Sequence, residues 1–307
     1  MKIRTIAVIG AGAVGCYFIA GLGEKFGENL WVVASGERKE RLENEGLIVN
    51  GNRLNLNVKT PEEAHGADLV LLAVKYGALE SGADDVAKVV GEHSIVLSLL
   101  NGVDSEEVVA KRIGRERIMY SMMKIASERK GNNIAFNPEI TQGVFFGEAD
   151  AKYGNERIEA LAEVFEGTNI NYNIREDIIR DIWFKFALNI SKNLPQAMVN
   201  CGYGAYYTSE NVIAISKKLE AEVVAVAKAK GIDIENKEQA AGQNETIPRK
   251  ARFSTLQDLD AKRHTEIDMF SGAMMRMGAE LGIPTTYNEF TYYMIKALEE
   301  KNDGLLA

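Results

Sequence analysis

The sequence predicts an α/β protein: an N-terminal Rossmann dinucleotide-binding domain over residues 1–175, then an all-helical domain over 176–307. Three observations carry that expectation. Short β-rich runs alternate with helical patterns through the first half, a glycine-rich turn joins the first strand to the first helix, and past about Asp177 long helical stretches take over.

The runs Ile3–Ile9, Leu69–Val74 and Ile95–Leu100 are nearly continuous in apolar residues, as parallel strands covered on both faces should be. Leu30–Ala34 supplies another strand. Helical patterns over Val14–Lys25, Glu37–Glu45 and Ala83–Val90 lie between them. From Ile118 to Phe146 the chain reads as further strands interrupted by ERKGNN and NPE, both of which carry turn chemistry. The boundary falls around NYNIRED, near 172–178. Beyond it the patterning predicts helices over 177–193, 209–230, 255–281 and 286–301. There is no internal repeat and no low-complexity segment.

The 307 residues leave room for a large core, and 46% hydrophobic with 26% charged residues is ordinary for a soluble protein. A net charge of −8 argues against general affinity for nucleic acid or an anionic membrane. Cys16 and Cys201 are far apart and lack CxxC spacing, which suggests a reducing compartment with neither a disulfide framework nor a metal site. No apolar run approaches the ~18 residues of a membrane span. The opening MKIRTIAVIG passes straight into a strand without a signal-peptide pattern, so a cytoplasmic protein is expected.

Gly10-Ala11-Gly12-Ala13-Val14-Gly15 is a GxGxxG that follows a strand and opens a helix, the context that gives the motif its physics. Gly10 permits the tight turn, Gly12 lets a pyrophosphate approach the backbone, and Gly15 allows close helix–strand packing. Orphan amides and the helix dipole then favour the phosphates. The second strand runs into Ser35-Gly36-Glu37-Arg38-Lys39. Ser35 stands where an NAD enzyme usually places an acid, and Arg38 and Lys39 are close enough to pair with a 2′-phosphate, a solvated helix face being the equal alternative for the two cations. Glu37 suits the first turn of the next helix. NADP is therefore favoured over NAD. Lys75 and Asn101-Gly102 follow two further strands and should look onto the cofactor crevice, although an exposed lysine and a plain Asn-Gly turn are the bland alternatives.

In KFALNISKN, residues 185–193, Lys185, Asn189 and Asn193 recur at four-residue spacing, with Asp181 before them and Lys192 beside them. On a wheel of about 100° per residue these residues form one narrow polar stripe on an otherwise apolar helix. A solvated face with an Asp181–Lys185 pair is the plain reading. Mid-helix Asn costs propensity, however, so two in register behind a Lys look more like ligands. Pro195 cannot bond the Ser191 carbonyl and should end or kink the helix there.

On these residues the chain resembles the ketopantoate reductase family, within the 6-phosphogluconate dehydrogenase-like superfamily. The resemblance runs over nearly the whole chain. It is carried by GxGxxG at 10–15, the Lys75 strand end, Asn101-Gly102, K-x3-N-x3-N at 185–193 and STLQD…RHTEID at 254–268. It implies Lys185 as general acid and Glu266 as an active-site glutamate. It also implies Asn189, Asn193 and Ser254 as substrate-binding residues, with Lys75 and Asn101 as cofactor contacts. Hydride transfer to a ketone builds negative charge on oxygen, and an ammonium bonded to that oxygen can neutralise and then protonate it.

Ser254-x-x-Gln257 also reads as a capping box. A straight helix would set Ser254 and Glu266 ~18 Å apart, so either the helix bends or starts later, or Glu266 serves the cofactor end of the site. Family members often carry Arg at the Ser35 position and Asn at the Ala251 position.

The function these readings predict is NADPH-dependent reduction of 2-dehydropantoate to (R)-pantoate, in a cleft between the domains. A D-2-hydroxy-acid dehydrogenase on the same scaffold, using NAD, is the near alternative. A non-catalytic dinucleotide-binding regulator is the distant one. The expected partner is a small 2-oxo acid, and the C-terminal helices offer a surface for a homodimer.

Overall fold

The computed structural model describes residues 1–125, 127–137, 139–150, 154–235 and 247–306. The chain divides into two compact units, Met1–Ile178 and Ile179–Ala307.

The first unit runs β1 (Ile6–Ile9), α1 (Ala13–Phe26), β2 (Leu30–Val33), α2 (Gly36–Glu45), β3 (Ile48–Val49), β4 (Asn52–Arg53), β5 (Asn57–Lys59), β6 (Ala67–Leu72), α3 (Leu79–Val89), β7 (Val90–Ser98) and α4 (Ser105–Ile113). It continues through β8 (Tyr120–Lys124), β9 (Ser127–Lys130), β10 (Asn133–Phe136), β11 (Gly143–Gly147), α5 (Glu156–Phe165) and β12 (Tyr172–Ile174). Five strands form a parallel sheet in the order β5-β2-β1-β6-β7. Numbered within that sheet, the order is 3-2-1-4-5, the doubly wound arrangement whose switch point lies between β1 and β6. Side-chain alternation supplies a core on each face. Ile6, Val8, Leu69 and Leu71 join one, with Phe18 and Leu22 of α1, while Ala7, Ile9, Val70 and Leu72 join the other, with Val86 of α3 and Val109 of α4.

The strands after Ile118, joined by β3 and β4, form two smaller sheets, β4-β3-β10-β9 and β12-β11-β8. The ERKGNN interruption is narrower than its composition suggests. Glu128–Lys130 pair within β9, and only Gly131 (φ +61°) and Asn132 make the hairpin turn to β10.

The second unit is helical: α6 (Ile178–Leu188), a π-helical turn (Asn189–Asn193), α7 (Leu194–Val199), α8 (Ala205–Thr208), α9 (Glu210–Ala229), α10 (Ser254–Asp260), α11 (Ser271–Leu281) and α12 (Thr286–Asn302). Two expectations are corrected here. Of the end or kink expected at Pro195, the helix does not end there: the chain winds through the π turn and continues as α7 to Val199. The helix expected over 255–281 is broken. Lys262 takes φ +52°, its N–H bonds to the Leu259 carbonyl, and the Arg263 N–H bonds to the Asp258 carbonyl. That pair of bonds is a Schellman stop, with lysine where glycine is usual. No helix among the described residues is long and apolar enough to cross a membrane.

Candidate active site

Register places the first group of candidates on one edge of the parallel sheet. Ile9 pairs with Val33 and Leu72, and Leu72 pairs with Ser98. Gly12, Lys75 and Asn101 therefore each lie three residues past matched ends of adjacent strands, and Ser35 lies two past Val33. All stand at the carboxyl edge, where open α/β sheets bind ligands.

The glycines of the loop divide by what constrains them. A Cβ on Gly10 (φ +103°) would come within 2.6 Å of the Ala73 backbone, and one on Gly15 within 1.9 Å of the Gly10 carbonyl oxygen. Those two are demanded by the chain itself. A Cβ on Gly12 would meet only the Ala73 carbonyl oxygen, at 3.8 Å. Its glycine leaves room for something outside the chain. Gly12 is also the N-cap of α1, whose first turn opens with Ala13 and Val14 and holds no acidic side chain, and Ala11 before it is buried. A helix N-terminus of this kind fits a pyrophosphate.

Ser35 is the N-cap of α2 and is exposed, and its hydroxyl makes no capping bond. Glu37 sits in the first turn of α2. Arg38 is exposed beside it. Lys39 is committed elsewhere: its ammonium donates to the Val58 carbonyl and to Glu63, both at 3.1 Å, and lies 3.6 Å from Glu43. These contacts weaken the case for Lys39 at a 2′-phosphate.

Lys75 is exposed and precedes a single 3-10 turn, Tyr76–Ala78, and Asn101 is half-buried ahead of Gly102 (φ +95°). The two loops are tied together, since the Tyr76 hydroxyl donates to Asp104 at 2.6 Å. Nothing in the spacing of residues 76 and 104 revealed that link.

In the second unit Lys185 lies in the last turn of α6, half-buried, and Asn189 opens the π turn, also half-buried. Asn193 closes that turn and is 4% exposed. Its amide nitrogen donates to Ser254 Oγ at 3.2 Å, while its Oδ1 is buried without a hydrogen-bond partner among the described residues. The structure thus brings two of the predicted residues into contact. Ser254 is not the N-cap of α10; Phe253 is, and Gln257 turns back to the Arg252 carbonyl. The capping-box reading fails because the Ser254 hydroxyl is bonded to Asn193 instead.

Gln196 holds this arrangement and escaped the sequence reading. It is fully buried; its Nε2 donates to the Ala251 carbonyl at 2.9 Å and its Oε1 accepts from the Phe253 N–H at 2.6 Å. Its one available signal was its position three residues past Asn193. Lys192, read as part of the stripe, turns to Ser216 at 2.9 Å and lies over the Tyr206 ring. Glu266 lies in the break between α10 and α11, half-buried, with its carbonyl accepting from Met269 and Phe270.

Comparison with known proteins bears on this arrangement. The family described as ketopantoate reductase PanE/ApbA matches residues 6–150, and its C-terminal counterpart matches residues 177–299. The 2-dehydropantoate 2-reductase of Streptococcus pyogenes serotype M3 is 26% identical over 301 residues, covering 96% of this chain and 97% of its own. Among solved structures, a PanE/ApbA family ketopantoate reductase from Ralstonia eutropha JMP134 is 25% identical with a TM-score of 0.79, covering 97% of this chain and 99% of that one. A D-mandelate dehydrogenase with NADH and anilino(oxo)acetate shares the fold, with a TM-score of 0.81 at 23% identity over 97% and 99% of the two chains.

Proposed function

This chain belongs to the ketopantoate reductase PanE/ApbA family, and from that premise we propose that it reduces 2-dehydropantoate to (R)-pantoate with NADPH. The observation that carries the choice of substrate is the buried Oδ1 of Asn193. A buried acceptor left without a donor costs about 1–3 kcal/mol, and a hydroxyl on the substrate would supply that donor. 2-Dehydropantoate has such a hydroxyl, and the same acid without it does not.

In this reading Gly10–Gly15, Lys75 and Asn101 hold the dinucleotide, with Ser35 and Arg38 at its 2′-phosphate. When bound, the reduced nicotinamide supplies the hydride that reaches the substrate's carbonyl carbon. Lys185 bonds the carbonyl oxygen, neutralises the charge that develops there and gives up its proton, which solvent then restores. Asn189, Asn193 and Ser254 orient the acid through its oxygens, and Glu266 closes the polar set around it.

The test is oxidation of NADPH and NADH by the pure protein with 2-dehydropantoate, its deoxy analogue 3,3-dimethyl-2-oxobutanoate, and an aromatic 2-oxo acid. We expect kcat/KM for 2-dehydropantoate to exceed that for the deoxy analogue by at least about a hundredfold, because a site built around a hydroxyl rejects the analogue lacking it. Equal use of the two would remove the Asn193 argument. Replacing Lys185 with Ala should lower kcat at least about a hundredfold with cofactor affinity nearly intact. Near-normal turnover would remove Lys185 from the acid role. The commitment of Lys39 to Glu63 favours the second reading, an NAD-linked 2-hydroxy-acid dehydrogenase, and a preference for NADH with the aromatic acid would establish it. Tight NADPH binding with no turnover of any 2-oxo acid would point to a regulator.

A further inference from the structure

We propose that Glu299 of α12 is a positioning residue for Glu266, acting through Thr265; this rests on the reading of Glu266 as part of the oxo-acid site. Between α10 and α11 the chain runs in turns, and it carries Glu266 between Thr265 and Ile267; the Glu266 carbonyl is held from its C-terminal side by the Met269 and Phe270 N–H groups, while no helix directly precedes it to fix Thr265. Glu299, 3% exposed, reaches it from α12. One carboxylate oxygen accepts both the Thr265 N–H at 2.7 Å and the Thr265 hydroxyl at 2.6 Å. The Thr265 hydroxyl oxygen in turn accepts the Ile267 N–H at 3.2 Å. Both neighbours of Glu266 are thereby tied to a single buried carboxylate, and the backbone that aims its side chain is held on both sides.

The rest of the α12 face makes the anchor rigid. Tyr292, Lys296, Glu299 and Asp303 recur at spacings of four, three and four, so they share one side of the helix. Tyr292 and Lys296 donate to Asp268 at 2.8 and 2.7 Å, and Asp303 meets His264 at 2.9 Å. Glu299 lies between these contacts, with Lys296 and His264 each 3.6 Å from its second oxygen. Glutamine at this position would keep the oxygen that Thr265 needs.

Replacing Glu299 with Ala should lower kcat/KM for 2-dehydropantoate at least about tenfold while leaving the Kd for NADPH within about twofold, and Glu299→Gln should stay within about threefold of the parent. In a Glu266→Ala background the Glu299→Ala change should add less than about twofold, because its whole effect passes through the missing carboxylate. Multiplying losses in the double variant, or an unchanged kcat/KM in Glu299→Ala, overturns the proposal. Where Glu299→Ala does not fold, Thr265→Val removes the bridging hydroxyl and should give the same pattern, with Thr265→Ser restoring activity. A parent protein that turns over no 2-oxo acid defeats the proposed function instead. Amide exchange at Thr265 and Ile267 then decides the positioning role alone: acceleration of at least about tenfold in Thr265→Val supports it, and unchanged exchange ends it.

Discussion

Gly12 and Gly15 stand in one motif and answer to different partners. The Gly15 Cα lies so close to the Gly10 carbonyl that an added Cβ would sit 1.9 Å from its oxygen, whereas at Gly12 the nearest atom is 3.8 Å away. The two substitutions should therefore separate folding from binding. Gly15→Ala should destabilise the protein by several kcal/mol, on the order of an overpacked core site or more. Gly12→Ala should keep its Tm and yet weaken NADPH binding at least about tenfold, because the methyl enters the space a pyrophosphate would use. Thermal unfolding and fluorescence titration read the two effects, and a Gly12→Ala protein with unchanged affinity would dismiss the cradle. At this scale the candidates were legible by residue type, and their neighbours were not. The sequence could suggest that Ser254 caps a helix; that its hydroxyl meets Asn193, and that Lys39 turns to Glu63, depend on contacts between residues 61 and 24 positions apart.

The π turn at Asn189–Asn193 sets the azimuth of two candidate ligands, and its cause is local. With proline at 195 the Ser191 carbonyl has no N–H four residues on, and the i→i+5 pattern lets the helix pass through without breaking. A disturbance at Pro195 is legible in the sequence and its π form is not, because periodicity assumes 3.6 residues per turn throughout. Replacing Pro195 with Ala restores the missing donor and should let the turn relax toward regular α-helix, rotating Asn193 away from Ser254. KM for 2-dehydropantoate should then rise roughly tenfold with the Kd for NADPH unchanged, and an unaltered KM would show that the turn does not set the Asn193 position. The break after α10 escaped for a related reason. A Schellman stop is recognised by glycine at the left-handed position, and here Lys262 occupies it, so the apolar pattern ran on unbroken to the eye.

Across the whole chain the α/β class and the helical second half were legible because strands buried on both faces must be continuously apolar, and that constraint is written residue by residue. What stayed hidden were polar groups buried inside the fold, of which Glu106 has the largest consequence. It lies in the first turn of α4, 4% exposed, with one oxygen accepting from the Ser105 hydroxyl at 2.9 Å, and Ser105 meets Ser98 at 2.7 Å. Burial pushes its carboxyl up to about 7, and the hydrogen bond from Ser105 only partly opposes that. A carboxyl raised above its unfolded value of 4.5 favours the folded state while neutral. That contribution is complete below the unfolded value and is lost as pH rises through about 7, an effect on the order of 3 kcal/mol at 1.36 kcal/mol per unit. Replacing Glu106 with Gln keeps the shape and removes the titration. The variant should therefore match the parent at pH 4 and exceed it at pH 8, by up to roughly 3 kcal/mol in denaturant unfolding. Trp31 lies in the same unit as Glu106, so its fluorescence in a Trp183→Phe background reports the relevant transition. A stability difference that does not change between the two pH values would mean that Glu106 stays in one protonation state throughout, and its burial would then be a fixed cost of the fold.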